Sequence, residues 1–322
     1  MGLTLDPDYA AASAEQTAMA LAGPRPADHD VALRRQLFSI LEAAPTPESI
    51  PPNVAYEILH TETPDGYKLP IYHVWNKTAK HDAANPSPAV LHAHAGGMIL
   101  LTPVIALPLL FQYVAATGIP IFSVDYRLAP EHPYPTPPED CWTGLTWLIA
   151  NAAKYTIDTA RIAVMGESAG AGLAAALTLM ARDRGLSPPI ARQILAFPML
   201  DDRNKEKLPE SVKFTLWSES DNLTGWTAYL GDKLGTNNVP IYAAPARVTD
   251  VTGLPPLYVD IGQIDLFVKE TSRYVNKFIE ADIEVEFHVY PGLPHGWGAA
   301  LTYTGPATKA YVENRIAQLK KL

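Results

Sequence analysis

The sequence predicts an α/β fold built on a mostly parallel sheet with helices on both faces. Two observations predict it. From residue 89 onward, short apolar runs alternate with longer helix-like segments, a pattern typical of parallel sheets covered on both sides. The chain of 322 residues, 48% hydrophobic and 18% charged, can also bury the large core that such a sheet needs. The predicted strands lie near residues 89–94, 119–125, 161–166, 190–197, 256–261 and 284–290.

The chain before this alternating region is predicted to be helical and then to form a hairpin. Leucine and isoleucine residues recur at helical spacing in a segment that Asp28 or Asp30 can cap, which predicts helices within residues 8–44. Val54–Thr61 and Leu69–Trp75 then flank a Pro-Asp-Gly turn. These two apolar segments predict an antiparallel hairpin at the start of the sheet.

Composition divides the chain into four stretches. Residues 200–235 interrupt the strand–helix alternation with charged and large aromatic residues. We therefore expect an N-terminal helical segment at residues 1–50, a core at 51–199, an insertion at 200–235 and the remaining core at 236–322. We expect the insertion to pack with the N-terminal helices over the edge of the sheet.

Charge and composition argue against several classes of partner. The formal net charge of −9 disfavours nucleic acid and anionic membranes. No run of 18 apolar residues could span a bilayer. Residues Met1–Ala10 lack the basic and apolar regions of a signal peptide, and Cys141 is the only cysteine. We therefore expect a cytoplasmic enzyme that binds neither nucleic acid nor membrane.

The stretch Arg161–Ala171 carries the strongest functional signal. Its apolar run ends in Gly-Glu-Ser-Ala-Gly at residues 166–170, and small and apolar residues follow at once, so the pattern predicts strand, sharp turn and helix. A serine on such a turn has a strained backbone with glycine on both sides, and the helix N-terminus adds partial positive charge where an oxyanion forms. Ser168 is therefore the candidate nucleophile.

These glycines admit two other interpretations. Residues 170–175 fit the G-x-G-x-x-A pattern of dinucleotide-binding turns, but the match begins inside the predicted helix instead of at the end of the strand. The next strand, Ile190–Phe197, is also followed by a proline where an acidic residue would hold a ribose. In the other interpretation, the small residues serve only the close packing of helix and sheet. We expect no organic cofactor.

A nucleophilic serine needs a histidine base, and that histidine needs a carboxylate to orient it. Of the nine histidines, only His295 lies in a loop directly after a late strand, whereas His288 belongs to that strand. Asp265 follows the strand near 256–261 after a short turn, and Asp260, inside that strand, is expected to be structural. Asp265 as a helix cap and His295 as a loop residue without a role are the alternatives.

The turn after the first parallel strand is predicted to supply an oxyanion hole. The sequence His-Ala-Gly-Gly at residues 94–97 allows successive backbone amides to point at a developing charge. We predict that Gly96 and Gly97 are donors, that the amide of Ala169 is a third, and that His94 supports the loop. His92 and His94 also form an H-x-H pair, but no further ligand follows at usable spacing, so we expect no metal.

Together these motifs resemble the hormone-sensitive-lipase-like carboxylesterases (family IV) of the α/β-hydrolase superfamily, over residues 85 to 300. The matching segments are His94–Gly97 for H-G-G-G, Tyr126–Pro133 for Y-R-L-A-P-E-x-P, Gly166–Gly170 for G-[DE]-S-A-G, and Asp265 and His295 for the acid and the base. The resemblance implies an α/β-hydrolase fold with a helical cap, formed by the N-terminal helices and the 200–235 insertion. Ser168, Asp265 and His295 also follow the chain order known for this fold.

The resemblance implies a serine carboxylesterase acting on short-to-medium acyl esters through an acyl-enzyme intermediate. An amidase, a lactonase or a carbamate hydrolase would use the same residues, and some relatives on this fold bind ligands without turnover. The presence of His295 favours an enzyme over such a receptor.

The chain departs from the family pattern at three positions near the site, one of which, Leu266 in place of a common proline, we expect to be neutral. Ala95 replaces the first glycine of the oxyanion loop, which would cost stability if that position needs a positive φ. Trp297 replaces a phenylalanine and is expected to narrow the pocket. The exposed last strand, near 284–290, is also expected to allow a homodimer across a two-fold axis.

Overall fold

The computed structural model describes residues 2–209, 212, 215–299 and 305–322. Its centre is an eight-stranded sheet. The strands are β1 (Val54–Glu62), β2 (Lys68–Asn76), β3 (Ser87–Ala93), β4 (Ile121–Val124), β5 (Ile157–Glu167), β6 (Arg192–Ala196), β7 (Leu257–Gly262) and β8 (Val285–Tyr290).

The strands follow the order β1-β2-β4-β3-β5-β6-β7-β8 across the sheet. The hairpin strand β2 pairs antiparallel with both β1 and β4, and the pairs from β4 to β8 are parallel. The prediction of a mostly parallel sheet with an N-terminal hairpin is therefore confirmed, and each predicted strand overlaps an observed one. Because the carboxyl ends of parallel strands share one edge, the loops after β3, β5, β6, β7 and β8 meet there.

Helices cover both faces of the sheet, as predicted. In the described residues they are α1 (Pro7–Ala12), α2 (Ala14–Ala22), α3 (Val31–Phe38), α4 (Leu107–Thr117), α5 (Thr136–Ala150), α6 (Ala169–Asp183), α7 (Glu219–Leu230), α8 (Val268–Glu280) and α9 (Pro306–Leu319). The two faces have separate cores because side chains alternate along a strand. Leu91 of β3 packs in the core formed with α5, α6 and α8, and its neighbour Val90 packs in the core formed with α4 and α9.

A third apolar cluster joins the loop after β3 to the long connection between β6 and β7. It contains Ile99 and Leu100 from the loop and Trp217, Trp226 and Tyr229 from the connection. Helix α3 contributes Val31 and Phe38 to the edge of this cluster. Residues from the N-terminal helices and from 200–235 therefore pack over the carboxyl end of the sheet. Among the described residues, no helix combines the length and the apolar character needed to cross a membrane.

Candidate active site

Ser168 lies on the turn between β5 and α6, where its φ of 54° and ψ of −118° place it in a region that L-residues rarely adopt. Both flanking glycines are required by close packing. A Cβ at Gly166 would collide with the backbone of Gly170, and a Cβ at Gly170 would collide with the carbonyl of Ala93 in β3. Gly170 is part of α6, so the dinucleotide interpretation, which needs a glycine turn at the end of the strand, does not fit.

The structure brings Ser168, His295 and Asp265 into one hydrogen-bonded chain. The Nε2 atom of His295 lies 3.0 Å from the Oγ of Ser168, and its Nδ1 lies 2.7 Å from Oδ2 of Asp265. All three residues are at least 95% buried, with exposed fractions of 3%, 5% and 3% for Ser168, His295 and Asp265. A carboxylate on Nδ1 favours the tautomer in which Nε2 can accept a proton from the serine.

Backbone and aromatic contacts hold this acid–base pair. The backbone amide of Phe267 donates to Oδ1 of Asp265 at 2.8 Å, which leaves Oδ2 for the histidine. The rings of Phe197 and Phe267 meet the imidazole of His295 nearly edge-on, with centroid distances of 5.0 and 5.1 Å. Our sequence analysis did not identify these two phenylalanines, although both lie just after a strand at the carboxyl edge. They limit the ring to one orientation.

The loop after β3 presents two glycines with positive φ. Gly96 has a φ of 128° and Gly97 a φ of 59°, whereas Ala95 does not have a positive φ. The alanine at this departure from the family pattern therefore carries no backbone strain. Among the described residues, none accepts a hydrogen bond from the amides of Gly96, Gly97 or Ala169. These three amides are thus available to a ligand.

His94 and Tyr126 support the base of this loop. Their rings stack with centroids 4.1 Å apart, and the Tyr126 hydroxyl donates to the His94 carbonyl at 2.8 Å. Nδ1 of His94 donates to the carbonyl of Ala95 at 2.7 Å. Burial lowers the pKa of His94 to about 3, so the ring is neutral at physiological pH. A neutral, stacked ring adds no charge beside the site.

The 200–235 stretch contributes a short segment that lies directly on the site. The ring of Trp217 occupies the space where a Cβ at Gly97 would stand. Next to it, Leu216 lies 3.2 Å from the position of a Cβ at Gly296, beside His295. Trp297, two residues after His295, behaves differently. It is fully buried against Tyr290 and Tyr311, so it offers no surface to a pocket, and our expectation that it narrows one is wrong.

A second polar chain lies behind the nucleophile, inside the sheet. Nδ1 of His92 is 2.7 Å from the Oγ of Ser123, and Nε2 is 2.8 Å from Oε2 of Glu167. His92 and Ser123 are fully buried. Their contacts explain His92 without a metal. In the described part of the chain, no group of three or more histidine, cysteine or acidic side chains is arranged to hold a metal ion.

A serine on a sharp strand–helix turn, hydrogen-bonded to a histidine and an aspartate beside free backbone amides, is the arrangement of the serine hydrolases. Its position at the carboxyl edge of this sheet is that of the α/β-hydrolase class.

Comparison with known proteins places the chain within that class. Residues 90–299 match the model of a family described as having the alpha/beta hydrolase fold. Esterase LipI of Mycobacterium tuberculosis is 31% identical over 244 residues, which cover 76% of this chain and 75% of that protein. Carboxylesterase NlhH of the same species is 29% identical over 278 residues, covering 84% and 85%. The chain therefore belongs to this family, the hormone-sensitive-lipase-like esterases that its motifs resemble.

A solved structure extends the similarity to the whole chain. The structure titled Bacterial Heroin Esterase superposes with a TM-score of 0.85 at 31% identity. The match covers 99% of this chain and 98% of that one. The N-terminal helices and the 200–235 stretch thus lie within the region of shared architecture.

The oxyanion loop provides the first test of the site. We expect Gly97→Pro to lower kcat by about 10² to 10³, the cost of one lost oxyanion donor, with a smaller effect on KM. Proline has no amide hydrogen and fixes φ near −65°, far from the 59° of Gly97. The measurement is kcat and KM on a small ester, normalised to sites that react with an organophosphate.

The matched control is Ala95→Gly in the same loop, which we expect to change kcat only slightly because Ala95 does not have a positive φ. A folded Gly97→Pro protein with the wild-type kcat would place the donors elsewhere.

Proposed function

We propose that this protein is a serine carboxylesterase that hydrolyses short-to-medium acyl esters through an acyl-enzyme intermediate. One observation carries the proposal: Ser168, His295 and Asp265 are joined by hydrogen bonds of 3.0 and 2.7 Å. Free amides of Gly96, Gly97 and Ala169 lie in the neighbouring loop and helix start. We propose these six residues as the catalytic triad and the oxyanion hole.

The proposed reaction has two halves. Ser168 Oγ attacks the ester carbonyl while His295 Nε2 accepts the serine proton, and the carbonyl oxygen becomes an oxyanion that the three amides stabilise. The intermediate collapses when His295 donates that proton to the leaving alcohol. Water then attacks the acyl-enzyme with His295 again as base, the bond between the acyl group and Ser168 Oγ breaks, and His295 returns the proton to Oγ as the acid leaves. Throughout, Asp265 holds the ring and stabilises its cation.

Three comparisons support an ester over other acyl substrates. The two relatives given above are named an esterase and a carboxylesterase, and the solved structure is titled a heroin esterase. Amide, lactone and carbamate hydrolysis use the same constellation, and no described feature favours them. We also propose that α1–α3 and residues 200–235 together form a cap over the site, since Trp217 and Leu216 lie against the loops of Gly97 and Gly296.

We expect kcat/KM to rise from acetyl to about hexanoyl esters and then to stop rising. Each methylene contributes about 0.8 kcal/mol only while it is buried, and the ring of Trp217 crowds the space above Gly97. The measurement is kcat/KM for p-nitrophenyl esters with acyl chains from about two to sixteen carbons.

The control is Trp217→Ala in the same series, which opens the space above Gly97 and should move the optimum to longer chains. An optimum at about twelve carbons or more in the wild type would contradict the proposed short-chain preference. Equal turnover of the matched anilides would instead favour an amidase.

Two further points complete the proposal. We propose a cytoplasmic enzyme, in keeping with the single buried cysteine, Cys141. We also propose a homodimer through β8, which is the last strand of the sheet and has one edge without a neighbouring strand among the described residues. Val289 in β8 and Ile279 in the adjacent helix α8 are 40% and 57% exposed, which fits a surface covered by a second copy.

A further inference from the structure

We propose that Arg35 is a positioning residue for the oxyanion loop, and that α3 and α7 hold this loop from two sides. The inference rests on the proposed function, because it concerns the same site. It assigns a role in the chemistry to a helix near the N-terminus that contributes no group to the reaction itself.

The side chain of Arg35 contacts the backbone of the oxyanion loop. Its Nε donates to the carbonyl of Ile99 at 2.7 Å, and its Nη2 donates to the carbonyl of Ala129 at 3.0 Å. The amides of Ile99 and Leu100 both donate to the carbonyl of Gly96 at 3.0 Å. Ile99 thus closes the turn that begins at Gly96. A guanidinium that fixes the Ile99 carbonyl therefore fixes the turn that orients the two glycine amides.

The guanidinium of Arg35 also forms an ion pair at the surface. Its Nη1 and Nη2 each lie 2.7 Å from a carboxylate oxygen of Glu131. Side-chain exposure is 35% for Arg35 and 54% for Glu131, so the ion pair itself contributes little to stability. The hydrogen bonds to the carbonyls of Ile99 and Ala129 are the contacts of Arg35 that affect the site.

The preceding residue, Arg34, ties the same helix to α7. Its Nε donates to Oδ1 of Asp221 at 2.7 Å and its Nη2 to the Oγ of Ser220 at 2.9 Å, and its side chain is 1% exposed. Consecutive helical residues point in directions about 100° apart because a turn takes about 3.6 residues. Arg34 and Arg35 can therefore bind two different elements from adjacent positions on α3.

Helix α7 and the segment before it meet the oxyanion loop from the other side. The ring of Trp217 covers Gly97, and a Cβ at Gly225 in α7 would lie 2.9 Å from the Gly97 carbonyl. The loop is therefore held from two sides. Arg35 of α3 binds it at Ile99, α7 packs against Gly97, and Arg34 joins the two helices. Loss of Arg35 removes the hydrogen bond to Ile99, the residue that closes the turn beginning at Gly96.

The expected effect is on the transition state rather than on substrate binding. Displacement of catalytic groups by about 1 Å can cost on the order of 10² in rate, and Trp217 still holds Gly97, so we expect a partial loss. We expect Arg35→Gln to lower kcat by roughly 10- to 30-fold. KM should stay within about twofold, because the oxyanion forms only in the transition state, and loss of an interaction made only there lowers kcat and not substrate binding.

The experiment compares wild type, Arg35→Gln, Arg35→Lys and Glu131→Gln. Each protein is assayed for kcat and KM on p-nitrophenyl butyrate per organophosphate-titrated site, and for the Ki of a trifluoromethyl ketone. The ketone forms a tetrahedral oxyanion on the serine, so its Ki should weaken by the same factor as kcat in Arg35→Gln. Inhibition by butyramide, which is neutral and forms no oxyanion, should not change. A purely structural role would lower the number of active sites without moving the Ki.

The two other variants separate the contacts of Arg35. Glu131→Gln removes the ion pair but leaves the carbonyl bonds, so we expect kcat within about twofold of wild type. Arg35→Lys has no fork to reach both carbonyls, so its kcat should lie between wild type and Arg35→Gln, and it is the variant to use if Arg35→Gln does not fold.

Wild-type kcat and Ki in both Arg35 variants, or an equal loss in Glu131→Gln, would overturn the positioning role. Absence of wild-type turnover and of labelling at Ser168 would instead overturn the proposed function.

Discussion

Ser168→Ala and His295→Ala should each remove nearly all turnover, by about 10⁶ in kcat, and the double variant should lose little more because the two groups act as a unit. The expectation follows from the 3.0 Å contact between Nε2 of His295 and Oγ of Ser168, which puts the base within hydrogen-bond reach of the proton that it must remove. The measurement is kcat on p-nitrophenyl butyrate, with thermal unfolding of each variant to confirm that the fold is intact.

The control for this pair is Ser123→Ala, at the serine of the buried chain with His92 and Glu167. Ser123 is fully buried inside the sheet, so its hydroxyl cannot meet a substrate. We expect this variant to lose stability and to keep most of its kcat. A Ser168→Ala or His295→Ala protein that keeps about a tenth of the wild-type rate would refute the proposed triad.

Asp265→Asn should lower kcat by about 10⁴ while leaving the geometry nearly unchanged. The physical reason is the tautomer of His295. An asparagine amide facing Nδ1 would donate a hydrogen bond, so the ring proton would move to Nε2, and Nε2 could no longer accept the serine proton. Because Oδ1 of Asp265 accepts the Phe267 amide at 2.8 Å, asparagine is held with its oxygen on that side and its NH₂ toward the histidine.

The matched control is Asp260→Asn, five residues earlier on β7. Asp260 is fully buried and forms a two-point pair with Arg315 at 2.6 and 2.7 Å. Breaking a buried pair commonly costs about 3–5 kcal/mol, so this variant should unfold at a lower temperature and keep its kcat per active site. If the two aspartate variants lost kcat equally, Asp265 would have no special role.

The parts of the site that the sequence predicts well are those encoded in short segments. The sequence Gly-Glu-Ser-Ala-Gly predicts the turn at Ser168 because one run of five residues carries the whole pattern, although the packing that excludes a side chain at Gly170 involves Ala93 in β3. The choice of His295 over His288, and of Asp265 over Asp260, needed only the positions of strand ends. The structure brings the three selected side chains together and gives Asp260 the structural partner Arg315.

The contacts that the sequence could not predict join segments far apart in the chain. Arg35 reaches Ile99 across 64 positions, and Arg34 reaches Asp221 across 187. Nothing in a short stretch distinguishes such an arginine from a solvated one. The prediction for Trp297 was wrong for the same reason. Its place next to His295 suggested a pocket wall, but Tyr311, from a helix close to the chain's end, covers it.

The long connection between β6 and β7 has a consequence for how selectivity changes over evolution. These strands are parallel neighbours, paired from Gln193 with Leu257 to Ala196 with Asp260, so the connection leaves β6 at the carboxyl edge of the sheet and enters β7 at the opposite edge. Doubling the length of such a loop costs only about 0.6 kcal/mol in closure entropy. Insertions there can change the residues that cover Gly97 without changing the strand register that positions Ser168, Asp265 and His295. We therefore expect substrate preference to diverge between descendants while the triad stays aligned, provided that Trp217 and α7 keep their contacts with Gly97.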